Sequence, residues 1–121
     1  MNSRPRRSLS KVTAPNKALS RLGLAMRAGK LVSGEEIVLK AIRSGEAKLV
    51  LLASDASDNT SKKFADKCKS YGVPMLIGFS RFELGAAVGK PERVIFAVTD
   101  RGFADMLQVG FVHHSEVENI E

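Results

Sequence analysis

The chain has 121 residues, enough for one hydrophobic core and too few for two. Lys and Arg number 19 against 13 Asp and Glu, a formal net charge of +6 that favours a polyanionic partner. A single cysteine, Cys68, excludes an internal disulfide, and no apolar run resembles a membrane span or a secretion signal, so a cytoplasmic protein is expected.

Residues 1–14 carry Arg4, Arg6, Arg7 and Lys11, with no acid and no apolar periodicity, and read as a disordered basic tail. Residues 15–112 read as one domain. After Pro15, Leu19, Leu22 and Met26 recur at helical spacing, and Gly29 suits a helix end. Leu31-Val32-Ser33 is a very short extended stretch. The segment "SGEEIVLKAIRSG" (33–45) then predicts a second helix that stops at Gly45. Its Ser33-x-x-Glu36 pattern fits a capping box, Glu35 and Glu36 complement the helix dipole, and Glu36 with Lys40 forms an i,i+4 pair.

"KLVLLA" (48–53) is a continuous apolar run, as expected for a strand covered on both faces. "SDASDNTS" supplies a loop and a cap for the helix that continues through "KKFADKCKSY". Cys68 falls in register there with Phe64 and Tyr71 and reads as a small buried apolar residue. "PMLIGF" (74–79) is another strand, and Ser80 caps a short helix through Phe82, Leu84 and Ala87. Gly89-Lys90-Pro91 is a loop, because Pro91 biases its predecessor away from helix. "RVIFAVT" (93–99) is a third buried strand, and Asp100 opens a last helix through Phe103, Met106 and Leu107. Residues 113–121, with Glu116, Glu118 and Glu121, form an acidic tail. The alternation predicts an α/β fold: a three-layer αβα sandwich with a central, roughly four-stranded mixed sheet flanked by about five helices.

Enzyme signatures fail on spacing. Gly23 to Gly29-Lys30 and Gly85 to Gly89-Lys90 both miss the P-loop interval, no GxGxxG follows a strand, and no serine sits in a GxSxG elbow. His113-His114 has no third ligand at metal spacing. A non-enzymatic protein without cofactor or metal is expected. No run of aromatics offers a base-stacking platform either, so an RNA contact would use a helix end, a loop and backbone shape.

Residues 33–45 are the best patterned part of the chain. At 100° per residue Glu36, Lys40 and Arg43 fall within about 60° of one another, while Ile37, Val38, Ala41 and Ile42 cover the side that faces the sheet. On the residues alone this outward stripe fits a capped, solvated helix better than an RNA-facing one.

Three stretches carry a resemblance: "AGKLVSGEEIVLKAIRSGEAKLVLLASDAS", "GVPMLIGFSRFELGAAVGK" and "RVIFAVTDRGF". From Leu22 to Met106 the chain resembles the kink-turn-binding ribosomal protein family of the archaeal L-seven-Ae and eukaryotic L-thirty-e type, in its small bacterial YlxQ-like branch. In that family a Gly opens the second helix and a Lys follows six residues later, as Gly34 and Lys40 do here. Asp55-Ala56, Leu84-Gly85 and Gly89 also match. The resemblance implies that the start of this helix, Gly34, Glu35 and Glu36, reads bases in the opened groove of a kink-turn. The loop Ala87, Val88, Gly89, Lys90 and Pro91 would pack on bulged nucleotides, and Lys40, Arg43, Lys30 and Arg93 would neutralise phosphates. The sequence departs from the ribosomal members at Glu36 and Ile37. The partner so implied is structured RNA, kink-turn-like and ribosomal or translation-associated; no membrane contact is expected, and the sequence does not fix the oligomeric state, for which a monomer is the default. The alternative is a protein-interaction adaptor of the same fold whose RNA affinity is nonspecific and confined to the basic tail.

Overall fold

Helices and strands alternate through residues 17–109, the part of the chain that the computed structural model describes. They are α1 (17–27), β1 (Leu31–Ser33), α2 (Glu35–Ser44), β2 (Leu49–Leu52), α3 (Asp58–Tyr71), β3 (Met75–Ile77), α4 (Arg81–Ala87), β4 (Ile95–Val98) and α5 (101–109). The tails expected at 1–14 and 113–121 lie outside the described residues. The strands form one sheet in the order β1-β4-β2-β3. β4 runs antiparallel to both of its neighbours, and β2 and β3 are parallel, so the sheet is mixed as expected.

Side-chain alternation along β2 and β4 sorts the helices into two layers. Leu49, Leu51, Phe96 and Val98 face Ala18, Leu22 and Ala25 of α1, Leu84 of α4, and Ala104 and Leu107 of α5. Val50, Leu52, Ile95 and Ala97 face Val38, Ala41 and Ile42 of α2 and Phe64 and Cys68 of α3. Each of these two strands is therefore buried on both faces, which is why its sequence is apolar without interruption. Each large side chain buried this completely contributes about 1.5–3 kcal/mol relative to leaving it in water.

Helix ends follow local chemistry. The Ser57 hydroxyl accepts from the Thr60 amide at 3.2 Å, and Asp100 accepts from the Phe103 amide at 2.9 Å. Gly29, Gly45 and Gly72 close α1, α2 and α3 in the left-handed region. α1 differs from the sequence expectation. Ala18, Leu22 and Ala25 form its buried stripe, whereas Leu19 is half-buried and Met26 is exposed. Small residues dominate this face because the helix comes close to α4: a Cβ at Gly23 would lie 2.9 Å from the Ala87 carbonyl oxygen. Tyr71, expected in register with Phe64 and Cys68, is 50% exposed, and Phe82 of α4 is 62% exposed.

The sheet has two ends. β1, β2 and β3 finish, and β4 begins, at what we call the upper end. The lower end is where those three strands begin and β4 finishes.

Candidate nucleic-acid interface

The upper end is built around the start of α2. Ser33 stays in β1, paired with Phe96, and the chain then turns at Gly34 with φ 100° and ψ 141°. Gly34 is thus the helix cap, and no side chain accepts from the first-turn amides. The capping box expected at Ser33 and Glu36 does not form, because sheet pairing holds Ser33 one residue outside the cap position. The same Ser-x-x-Glu pattern does form the box at α4. There the Ser80 hydroxyl accepts from the Glu83 amide at 3.1 Å, and the Glu83 carboxylate accepts from the Ser80 amide at 2.8 Å.

The two carboxylates of the first turn have different surroundings. Glu35 accepts from the Lys63 ammonium at 3.0 Å and from the Thr60 hydroxyl at 3.2 Å, both on α3. The Lys63 hydrogen bond holds the Glu35 carboxyl below its ordinary pKa, opposed by burial and helped by the Thr60 hydrogen bond and the Lys63 charge. Glu36 makes no polar contact among the described residues, and the pair expected with Lys40 is not formed. An exposed i,i+4 pair contributes only about 0.3–0.5 kcal/mol, too little to order two long solvated side chains. Ile37, expected to face the sheet, is 56% exposed. The buried face of α2 begins one residue later, at Val38.

The loop after α4 leads into the start of β4 at the same end. Gly89 adopts φ 76° and donates to the Ala86 carbonyl at 3.1 Å, and the Lys90 amide donates to the Gly85 carbonyl at 2.8 Å. These two bonds fix the turn that presents Lys90 and Pro91 to solvent. Arg81 ties the loop to the rest of the end. Its guanidinium donates to the Asp55 carbonyl oxygen at 2.7 Å and lies 3.5 Å from the Asp55 carboxylate and 3.8 Å from Glu92. The Arg81 amide donates to the Asp55 carboxylate at 3.0 Å, and the Arg81 carbonyl accepts from the Arg93 amide at 3.0 Å. Nothing in the local pattern of the sequence announces this brace, although Asp55 is among the residues that match the family.

β1 and β4 are adjacent, about 4.8 Å apart. The chain leaves β1 at Gly34 and enters β4 from Arg93, so the start of α2 and the end of the loop flank one another. Gly34, Glu35, Glu36 and Arg93 therefore share the upper end, and the loop from Ala87, which lies against α1 at Gly23, to Pro91 leads up to it. Lys40 lies exposed midway along α2. Arg43 and Lys30 do not join this group. Arg43 is in the last turn of α2, about 10 Å along the axis from Glu36. Lys30 precedes β1, where its carbonyl accepts from the Thr99 amide at 2.9 Å, at the lower end.

Among the described residues no group of His, Cys, Asp and Glu could hold a metal ion, and no helix is long and apolar enough to cross a membrane. Cys68 is buried, and desolvation pushes its thiol pKa up to about 11. A thiol in that state is an inert core residue rather than a nucleophile.

The profile of the ribosomal protein L7Ae/L30e/S12e/Gadd45 family matches residues 16–108. The chain belongs to this family. It is 58% identical over 86 residues to RNA-binding protein YlxQ of Bacillus subtilis (strain 168), a match that covers 71% of the chain and 86% of that relative. Among solved structures, a protein of unknown function from Bacillus halodurans C superposes with TM-score 0.77 at 48% identity, over 78% of this chain and 96% of that one. The Giardia lamblia 15.5kD RNA binding protein superposes with TM-score 0.68 at 20% identity, over 87% and 89% of the two chains, and supports the family fold alone.

Proposed function

We propose that this member of the L7Ae/L30e family is a non-enzymatic RNA-binding protein that recognises a kink-turn or a similarly kinked internal loop with its upper end. The observation that carries the reading is the start of α2. Its first-turn amides have no side-chain cap, and it flanks a loop that Gly89 and the Arg81 brace hold rigid. Uncapped amides and the positive end of the helix dipole suit phosphate or base acceptor atoms. Glu36, without a polar partner among the described residues, accepts from base amino groups, while Lys40, Lys90 and Arg93 supply positive charge around it. The name of the Bacillus subtilis relative supports RNA as the ligand class.

In this reading Arg43 and Lys30 lie too far along the molecule to serve the same contact. The experiment compares the full chain, a form lacking residues 1–11, and Lys40→Ala on one kink-turn RNA at fixed salt. Binding that survives loss of the tail and weakens with Lys40→Ala supports the upper end. Binding that vanishes with the tail and ignores Lys40→Ala establishes the adaptor reading instead.

A further inference from the structure

At the lower end, where α2 and α3 finish and α5 begins, the surface opens into a cleft of about 500 Å³. Arg43 of α2, Lys48 ahead of β2, Tyr71 at the end of α3, and Arg101, Asp105 and Gln108 of α5 line it. Its size lies within the roughly 300–1,000 Å³ of small-ligand sites. Among the described residues Arg43 and Arg101 have no ion-pair partner, and Lys48 commits one donor to the Gly45 carbonyl oxygen at 3.1 Å. Tyr71 leaves half of its surface in solvent within this cationic setting.

Opposing charge is present, most of it outside the lining. Asp105 is the single acid in the lining. Glu46 and Asp100 flank the cleft, and Asp100 is engaged as the cap of α5. α2 and α3 bring the negative ends of their dipoles, about half a charge each. Gly45 and Gly72, however, donate to the last carbonyls of those helices. Within the lining itself three cations from three separate elements face one acid, a formal charge of +2, and the opposing groups stand at its margin.

We propose that this cleft is a second RNA site, which takes a single-stranded segment with a phosphate on Arg43, Lys48 and Arg101 and an unpaired base on the Tyr71 ring. The choice of RNA rests on the reading above, whereas the geometry of the cleft does not. A concavity of this size admits one unstacked nucleotide and not a duplex, and stacking on an exposed ring tolerates any base. The two sites lie at opposite ends of the sheet, so one domain holds two RNA segments at once and brings them together.

The test titrates a short oligouridylate into the full chain, alone and with saturating kink-turn RNA, and follows backbone amide shifts. Shifts at Arg43, Tyr71 and Arg101 that persist with the kink-turn RNA present are expected. The double variant Arg43→Gln/Arg101→Gln weakens the oligomer roughly tenfold and lowers the slope of log K against log salt by roughly 1.4, while kink-turn affinity stays within about twofold. Tyr71→Ala weakens the oligomer and Tyr71→Phe does not. Unchanged oligomer affinity in the double variant, or shifts confined to the tail and the upper end, overturns the proposal. So does uridine monophosphate binding as tightly as the oligomer, which makes the cleft a mononucleotide pocket. Failure of the kink-turn RNA to bind counts against the upper-end reading alone, because the oligomer arm is read separately.

Discussion

A Cβ atom at Gly85 would stand 2.5 Å from the Cα of Glu92 and 2.7 Å from its amide nitrogen. Both are backbone atoms, so no rotamer change relieves the contact. Gly85→Ala must therefore push α4 away from the segment that enters β4. We expect a loss of about 1–3 kcal/mol in chemical denaturation, the usual range for overpacking a close contact. Because Glu92 belongs to the Arg81 brace, the same variant also loosens the loop Ala87 to Pro91 and weakens RNA binding. An unchanged denaturation midpoint would show that the two segments separate freely.

Ser33 and Ser80 sit in the same Ser-x-x-Glu pattern and have different roles. Ser80→Ala removes a formed cap and should cost about 0.5–2 kcal/mol. Ser33→Ala removes no cap and should stay within about 0.5 kcal/mol of the parent. Equal losses in paired melts would mean that α2 is capped by Ser33 after all.

That contrast also marks how far the sequence is legible. Strands β2 and β4, the helix stops at Gly29, Gly45 and Gly72, and the Ser80 cap all follow from period, propensity and turn chemistry within a few residues. The Ser33 cap fails because a pairing with Phe96, distant in the chain, claims the residue for β1. Glu35 finds Lys63 across 28 positions, and Asp55 finds Arg81 across 26, so neither contact has a local signature. Arg43 lies on the angular stripe of Glu36, but a helical wheel hides the axial distance that places it at the other end of α2. The family resemblance indicated the residues of the upper end, while the lower cleft needed the three-dimensional meeting of α2, α3 and α5.

Gly34 and Gly45 bracket α2, both at positive φ, and separate stability from binding. Gly34, at φ 100° and ψ 141°, lies near a region nearly closed to other residues, where an alanine costs about 1–3 kcal/mol. Gly45, at φ 84°, is an ordinary left-handed cap, where alanine costs about 1 kcal/mol. Both variants should melt early. Only Gly34→Ala should weaken kink-turn RNA, measured well below both melting temperatures, because only Gly34 sets the first turn that faces it. Equal affinity in the two would remove the α2 start from the interface.

Cys68 gives the fold a measurable alkaline dependence. Its thiol is buried, with a pKa raised from about 9 to about 11, so the unfolded chain loses the proton first. The stabilisation is complete below pH 9 and is lost as pH rises towards 11, by up to about 3 kcal/mol. The comparison is with Cys68→Ala, which isolates the thiol. The parent should lose more stability than the variant between those pH values, and parallel curves would show that the thiol is not desolvated.

The central claim is that the upper end reads the shape and bases of a kinked RNA rather than its charge alone. The direct measurement is a titration of the full chain with a kink-turn RNA and with the same RNA lacking its G·A pairs, at one salt concentration. We expect the intact RNA to bind at least about tenfold more tightly, the discrimination that one well-made set of base contacts supplies. Equal affinity for the two would leave only phosphate attraction and contradict the account.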